Sequence, residues 1–363
     1  MYQIVCESIM LRLLAQFVLS TVAALLLTAC GSSSSVTSTT TSTAIIGLAV
    51  NGNTLYVANA DKQVIQALDL TTLAVTTVAG GAGVAGTTNG TGTAARFYEP
   101  FGLVFVPGAP DMLYVADTFN HGIRAINTTT SAVTTLSGTL GTSGATDGAS
   151  TSALFNNPKG ITFDGTSLIV ADSVNYLIRT VNKTSGAVGT PIGTSGQSGY
   201  VDGVGAGVKF GNPFAVAATA TYVYVSDAGN NSIRSVKISD GTVATVAGST
   251  AGTAGTTDAT GTLARFSTPL GIATDGTDIY VADSANHTIR KIVIASGVVT
   301  TVAGTAGTFG STDATGVAAT FNTPTGLALD SGNGILYVSD QRYTKVRKVI
   351  LGTGVVTTLN ASF

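Results

Sequence analysis

Five aspartates recur along the chain, and each is followed seven residues later by an arginine. The pairs are Asp117 and Arg124, Asp172 and Arg179, Asp227 and Arg234, Asp283 and Arg290, and Asp340 and Arg347. A sixth copy of the surrounding phrase has Asn59 and Gln66 instead, so both charges are missing together. A buried charge without its partner is costly, and paired loss is therefore typical of an ion pair across a hairpin. We predict structural charge pairs; the alternative is a ring of Asp or Arg side chains directed at a ligand.

The remaining reactive residue types do not assemble into a catalytic or metal-binding set. His121 and His287 occupy one position in two copies of the same phrase, whereas a zinc site needs about three protein ligands. Glu occurs only as Glu7 and Glu99, and no Ser-His-Asp or Cys-His arrangement can be traced. We predict no catalytic residue, no metal and no cofactor. Weak calcium binding by Asp-Gly turns stays open, because oxygen ligands suffice for that ion.

The N-terminal region has the pattern of a secretory leader. Residues 13–27 form an uncharged apolar run of 15 residues, which is shorter than the roughly 20 that a transmembrane helix needs. The following Leu27-Thr28-Ala29-Cys30 resembles the lipobox of bacterial lipoproteins, in which the Cys thiol is acylated. We therefore expect a signal peptide over residues 1–29, a lipidated Cys30, and a Ser/Thr-rich tether over residues 30–43. The basic charge before the apolar run is weak, and initiation at Met10 instead of Met1 would place Arg12 near the start.

This leader predicts a lipid anchor in a bacterial cell envelope. Cleavage would leave Cys30 as the sole cysteine, so no disulfide is expected. Gly31 is not the acidic residue that, by the lipoprotein resemblance, retains such proteins at an inner membrane. We therefore expect the outer membrane or the cell surface; an uncleaved N-terminal anchor is the alternative.

Composition favours a β protein and excludes several function classes. The 363 residues include 17 Lys and Arg, 19 Asp and Glu, and 45 Gly, and the net charge is −2. So few charges provide no basic surface for nucleic acid, while a hydrophobic content of 44% is too high for a disordered chain.

The charge pairs sit in a repeat that must position them. A phrase of the Tyr-Val-Ala-Asp type ends at Asn59, Asp117, Asp172, Asp227, Asp283 and Asp340, 55 to 58 residues apart. A Val-Thr-Thr-Val-Ala-Gly phrase keeps the same spacing and ends at Gly80, Gly138, Gly193, Gly248, Gly304 and Ala361. Two markers with one spacing indicate six copies of one structural unit.

Each unit is predicted to form four short antiparallel strands joined by Asp-Gly and Ser-Gly turns. Six such units predict an all-β fold, a six-bladed β-propeller over residues 44–363. The predicted blades are approximately 44–80, 100–138, 158–193, 213–248, 269–304 and 324–361. Pro191 in a fourth strand indicates that this strand is the exposed outer edge. We expect closure by packing of blade six on blade one, with residues 36–43 as a candidate extra strand.

The six repeated units over residues 44–363 resemble the NHL repeat, and the residues of the fifth unit illustrate it. The resemblance rests on Tyr280-Val281-Ala282-Asp283, on Asn286-His287 and Arg290, and on Thr300 to Gly304; blade one departs from it with Lys62-Gln63 in place of Asn-His. It implies a six-bladed propeller and structural histidines. Some propellers that resemble this one are lyases or lactonases with a metal held by central His, Glu or Asp residues.

The connections between blades are long, about 20 residues against the usual 2 to 6. An Asn or Asp in each connection stands eight residues before a Phe; the pairs are Asn89 and Phe97, Asp147 and Phe155, Asp202 and Phe210, Asp258 and Phe266, and Asp313 and Phe321. The Phe residues are most simply anchors, and the Asp and Asn residues turn formers. The functional alternative is that five ordered loops build a recognition rim containing these residues.

We therefore predict a monomeric binding or scaffold module that recognises an envelope protein or glycan through this loop-bearing face. A metal-assisted lyase or hydrolase and a passive surface lipoprotein are the alternatives. A cluster of carboxylates in the central channel would favour the enzyme, and an apolar or glycine-lined channel would favour the binding module.

Overall fold

The structure is a computed structural model that describes residues 44–108, 111–340 and 344–363. These residues form six antiparallel sheets, and the inner strand of each sheet contacts the inner strands of its two neighbours. The predicted fold class, a six-bladed β-propeller of four-stranded blades, is confirmed. The predicted signal peptide, Cys30 and the tether through residue 43 lie outside the described residues.

Each blade contributes an inner, a second, a third and an outer strand in chain order. Their bounds are Ile45–Asn51, Thr54–Asn59, Val64–Asp69 and Val75–Ala79 in blade one; Pro100–Val106, Met112–Asp117, Gly122–Asn127 and Ala132–Ser137 in blade two; Pro158–Phe163, Leu168–Asp172, Leu177–Val181 and Val188–Ile192 in blade three; Pro213–Ala218, Tyr222–Asp227, Ser232–Lys237 and Thr242–Gly248 in blade four; Pro269–Thr274, Asp278–Asp283, Thr288–Val293 and Val299–Ala303 in blade five; and Pro324–Asp330, Ile335–Asp340, Lys345–Ile350 and Val355–Leu359 in blade six.

The helical elements are single 3₁₀ turns. One group follows the second strands, at Thr118–Asn120, Ser173–Asn175, Ala228–Asn230 and Ser284–Asn286. The other group lies in the connections, at Gly92–Ala94, Ser150–Ser152, Gly205–Gly207, Gly261–Leu263 and Gly316–Ala318. Among the described residues, no helix has the length and apolar character needed to cross a bilayer.

The core lies between blades, where apolar faces of neighbouring sheets pack together. One cluster joins Tyr56 and Ile65 of blade one to Leu113 and Val115 of blade two. In five blades a glycine stands at the third position of the inner strand, and blade four has Ala215 there. A Cβ on Gly47 would lie 1.7 Å from the Phe101 carbonyl oxygen, so any larger residue there would force the blades apart.

The ring closes by packing of blade six on blade one, as predicted. Leu55 and Val57 of blade one share a core cluster with Tyr337 and Val346 of blade six. Across this junction the Ser339 hydroxyl donates a hydrogen bond to the Ile46 carbonyl at 3.0 Å. The candidate extra strand at residues 36–43 lies outside the described residues.

The connections run along the outer strand of the blade that follows them. Gly90–Thr91 pairs with Ala132 and Val133 of blade two, and Gly203–Val204 pairs with Thr242 and Val243 of blade four, which makes these two sheets five-stranded. Single bridges occupy the same place in the other connections. The outer strand, predicted as an exposed edge, is thus partly covered, which satisfies edge groups that would otherwise invite pairing with another chain.

Candidate functional site

Each predicted aspartate of the repeat lies buried at the end of its second strand and is fully hydrogen-bonded. In blade five, Asp283 Oδ1 accepts from the Ser267 backbone N–H at 2.7 Å. Its Oδ2 accepts from Arg290 Nη1 and from Asn286 Nδ2, both at 2.8 Å. The strand register explains the ion pair, because Arg290 lies opposite Val281 and Asp283 opposite Thr288, which places both side chains diagonally on one face.

The same ion pair forms in five blades, between side chains that are almost completely buried. Arg124–Asp117, Arg179–Asp172, Arg234–Asp227, Arg290–Asp283 and Arg347–Asp340 are separated by 2.8 to 3.1 Å. In blade one, Asn59 Nδ2 donates to Gln66 Oε1 at 3.1 Å, also buried. A neutral hydrogen bond therefore occupies the position from which both charges are missing.

Each arginine also binds the connection that precedes its blade. Arg290 Nη1 donates to the carbonyl of Arg265 at 2.9 Å, and its Nη2 donates to the carbonyl of Thr257 at 3.1 Å and to Asp258 Oδ1 at 2.5 Å. The guanidinium carbon lies 5.1 Å from the centre of the Phe266 ring, within the range of a cation–π contact. One arginine thus holds the buried aspartate, the loop aspartate and the anchoring phenylalanine together.

The residues offered as a recognition rim belong to this arginine-centred assembly. The five phenylalanines are 0% exposed and cannot touch a ligand; they are Phe97, Phe155, Phe210, Phe266 and Phe321. Their burial agrees with the prediction that they anchor the connections. Asp147, Asp202, Asp258 and Asp313 are partly exposed, but each carboxylate pairs with the arginine of the next blade. Their side chains stabilise the connections. That each of these four arginines has two carboxylate partners is not apparent from the sequence, because the second partner lies more than 30 residues away along the chain.

Burial raises the pKa of the repeat aspartates, although their hydrogen-bond donors lower it. The pKa of Asp283 is raised to about 6, although the Ser267 N–H, Asn286 and Arg290 lower it. Asp117, Asp172 and Asp340 show the same rise to about 6 from the same cause. The hydrogen bonds and the guanidinium groups act against this rise, because they stabilise the ionised carboxylates.

The histidines join successive blades through a backbone hydrogen bond. His121 and His287 have positive φ, and the Nδ1 of each accepts from the backbone N–H of a residue directly before an inner strand, Asn157 and Thr323, at 3.1 Å. Asn231 Oδ1 accepts in the same way from Thr268 at 2.7 Å. In these three blades an imidazole or an amide therefore supplies the same acceptor.

A recurring asparagine was not assigned a role from the sequence. Asn120, Asn175, Asn230 and Asn286 each donate from Nδ2 to their blade's buried aspartate and to a glycine carbonyl of the preceding connection. The signal was present in the sequence, since each asparagine stands three residues after its aspartate.

The central channel is lined by the inner strands of all six blades. Each inner strand starts next to a connection, so its first residues lie in the half on the loop side. This half has a volume of about 70 Å³, and glycines such as Gly47 and Gly326 are among its walls. The opposite half has a volume of about 250 Å³ and is lined mostly by Leu, Val, Ile, Ala and Thr. The described lining of the channel thus contains glycines and apolar side chains and no cluster of carboxylates, which is the arrangement that favours a binding module.

One charged side chain stands among the described lining residues of the loop-side half. Lys159 lies between Phe101 and Phe214 of the two flanking blades, and its Nζ is 4.6 Å from the centre of the Phe214 ring. The Phe101 and Phe214 rings meet edge to face with centres 5.0 Å apart. Burial lowers the pKa of Lys159 to about 8.

An exposed aromatic pair lies on the same side of the propeller. Tyr98 and Phe119 are 41% and 40% exposed, and their ring centres are 5.2 Å apart. The Tyr98 backbone N–H donates to Asp117 Oδ1, and the Phe119 N–H donates to the Tyr98 carbonyl. Both rings are therefore carried by backbone that the charge-pair assembly fixes, and Tyr98 is three residues from Phe101 at the channel.

A larger cavity of about 400 Å³ lies between blades four and five, away from the loop side. Tyr222 and Tyr224 form one wall with ring centres 6.3 Å apart, and Lys237, Thr242 and Ile294 also line it. Its volume falls in the range of 300 to 1,000 Å³ typical of small-molecule sites. Across the described ranges, no group of three or more His, Cys, Asp or Glu side chains could hold a metal ion.

Comparison with known proteins points to the same repeat. Residues 266–292 match the family model of the NHL repeat, and this segment contains Phe266, Asp283, Asn286, His287 and Arg290. The chain is 28% identical over 289 residues to the protein SUPPRESSOR OF QUENCHING 1, chloroplastic, of Arabidopsis thaliana, across 76% of this chain and 27% of that protein. It is 26% identical to human NHL repeat-containing protein 2, across 86% of this chain and 40% of that protein. The chain thus spans only about a quarter to two fifths of these relatives.

Solved structures share the fold at low sequence identity. An auxiliary nutrient binding protein from Bacteroides thetaiotaomicron matches with a TM-score of 0.62 and 17% identity, across 88% of this chain and 70% of that chain. A catalytically inactive virginiamycin B lyase from Staphylococcus aureus, solved with quinupristin, matches with a TM-score of 0.51 and 11% identity, across 88% and 85%. At these identities the likeness concerns the fold alone. The chain is therefore a six-bladed propeller that contains an NHL repeat at residues 266–292.

Proposed function

We propose that this chain is a lipid-anchored, extracytoplasmic NHL-type propeller that binds a protein of the bacterial envelope through its loop-bearing face. The observation that carries the proposal is the exposed Tyr98–Phe119 pair on the loop side of the propeller. Exposed aromatic side chains on well-fixed backbone are favoured centres of protein interfaces, because they bury much area at little entropic cost. The arginine-centred assemblies fix that backbone in advance, which reduces the cost of ordering on binding.

The anchor and its location rest on the sequence of the leader. Acylation of Cys30 would place the propeller on the membrane at the end of the Ser/Thr-rich tether. A Cys30→Ala variant should lose incorporation of a labelled fatty acid and leave the membrane fraction. Retention of both label and membrane association would contradict the anchor. The similarity to an auxiliary nutrient binding protein supports a binding role, and it does not identify the ligand.

The recognition face can be tested in intact cells. Proteins would be crosslinked, the envelope solubilised, and the full-length chain captured together with its neighbours. We expect a partner that is enriched with the wild-type chain and lost with the Tyr98→Ser, Phe119→Ser double variant. Ile350→Ser is the matched control, because Ile350 is a 37% exposed apolar side chain at the end of a third strand, on the side opposite the connections. A partner that both variants retain would contradict recognition by this face, and capture of nothing specific would favour a passive surface protein.

Glycan binding is a second candidate, favoured by the cavity between blades four and five. Its two tyrosine rings offer apolar faces for a sugar ring, and Ser235, Lys237 and Thr242 offer polar groups. The full-length chain would be screened on an array of envelope polysaccharides. We expect any binding to be lost on Tyr222→Ala, with Tyr98→Ser as control; binding that survives Tyr222→Ala would exclude this cavity.

A further inference from the structure

We infer that the loop-side mouth of the central channel takes the carboxylate of an Asp or Glu side chain from the bound protein, with Lys159 as its ion-pair partner. The inference rests on the proposed function, because it names the chemistry of the partner residue that would enter the channel on the side that carries the Tyr98–Phe119 pair.

The lysine is an exception within a repeated position. The second residue of the inner strand is Ile46, Phe101, Lys159, Phe214, Leu270 and Thr325 in blades one to six. Five blades thus complete the same local structure with an uncharged residue. The blade architecture does not require a charge at this position, and the lysine in blade three needs another explanation.

Lys159 is partly buried, its ammonium group lies over the Phe214 ring, and it has no carboxylate to pair with in the described parts of the chain. Its recorded contact is with the face of the Phe214 ring, at 4.6 Å, and burial alone accounts for the lowering of its pKa. A cation–π contact compensates only part of the cost of removing a charge from water. A carboxylate that enters the mouth would complete the compensation.

The size of the mouth selects the end of a side chain. At about 70 Å³, it is far smaller than the 300 to 1,000 Å³ of pockets that enclose a whole small ligand. The wall of the mouth offers one cationic group and two aromatic rings. A carboxylate on a short aliphatic stem fits both, since its oxygens would face Lys159 and its stem would contact Phe101 and Phe214. The exposed aromatic pair would contact the surrounding surface of the same partner.

The test uses the full-length chain in detergent and a random library of dodecapeptides as the probe. Selected peptides would be synthesised with each Asp or Glu replaced in turn by Asn or Gln. They would be measured against the wild-type chain, Lys159→Met and the matched control Lys348→Met, which removes a partly buried lysine of blade six outside the channel. Thermal unfolding of each variant would show that it is folded.

We expect one acidic residue to be shared by the selected peptides. Its amide replacement should weaken binding at least tenfold, and Lys159→Met should do the same while Lys348→Met changes the affinity less than twofold. Lys159→Met should unfold at no lower temperature than the wild type, because an uncompensated charge has been removed.

Two results would overturn the inference, and they are distinguishable. Peptides that need Tyr98 and Phe119, but bind equally well as amide variants and to Lys159→Met, would refute the carboxylate site and leave the proposed function standing. A library that gives no peptide binder at all would refute both.

Discussion

Neutral replacement of one buried charge pair offers the sharpest test of the arginine-centred assembly. The change is Asp283→Asn together with Arg290→Gln, which reproduces in blade five the Asn59–Gln66 hydrogen bond that blade one already contains. If the pair is structural, the double variant folds and is less destabilised than the two single variants predict by addition.

The magnitude follows from the bonds that each change removes. Arg290→Gln leaves the buried Asp283 without its cationic partner, which costs about 3 to 5 kcal/mol. Asp283→Asn costs less, about 2 to 3 kcal/mol for a charge-assisted hydrogen bond, because Arg290 keeps its ion pair with Asp258. Their sum, about 5 to 8 kcal/mol, is comparable to the 5 to 15 kcal/mol that stabilises a typical domain. In the double variant no charge is orphaned in the core, and the remaining loss is the arginine's four hydrogen bonds to the connection, one each to Thr257 and Arg265 and two to Asp258. At about 1 kcal/mol for each of these bonds, the double variant should lose about 4 kcal/mol.

Urea unfolding of the full-length chain and the three variants would give the coupling energy, and hydrogen exchange would show where protection is lost. We expect faster exchange in the connection at residues 249–268, with little change in blade one. A double variant that fails to fold, or whose loss equals the sum of the single losses, would refute the reasoning.

Three further outcomes are expected. Replacing Phe266 by Ala should cost about 3 to 5 kcal/mol in urea unfolding, because the ring is 0% exposed and packs on the Arg290 guanidinium; a loss below about 1 kcal/mol would contradict the anchor interpretation. His287→Asn should keep the melting temperature close to that of wild type, since Asn231 performs the same acceptor role in blade four. His287→Ala should lower the melting temperature; if both variants melt at the same temperature, the acceptor contributes nothing to stability. Because burial lowers the pKa of Lys159 to about 8, the unfolded state binds more protons than the folded state between pH 8 and about 10.5. Stability should therefore gain a component that rises with pH in that window and is absent from Lys159→Met, and a wild-type profile that matches the variant's would disprove the shift.

The number and kind of structural units could be read from the sequence alone. Two phrases with one spacing require one repeated element, and alternating β-branched residues between Asp-Gly and Ser-Gly turns require strands, because both patterns reflect local backbone preferences. The joint absence of Asp and Arg at Asn59 and Gln66 also revealed the pairing, since residues seven apart across a tight hairpin have a fixed register.

Contacts between units were decided by the tertiary structure. The second carboxylate on Arg290 comes from Asp258, 32 residues earlier, and it changes a residue offered for recognition into part of the scaffold. Phe101, Lys159 and Phe214 belong to three different blades and meet only because the ring closes around a common axis. The sequence of one inner strand does not predict this meeting, because the side chains of every inner strand alternate between its two faces in the same way, whichever residue faces the channel. The sequence determined the blades, and closure of the ring determined which of their side chains face one another.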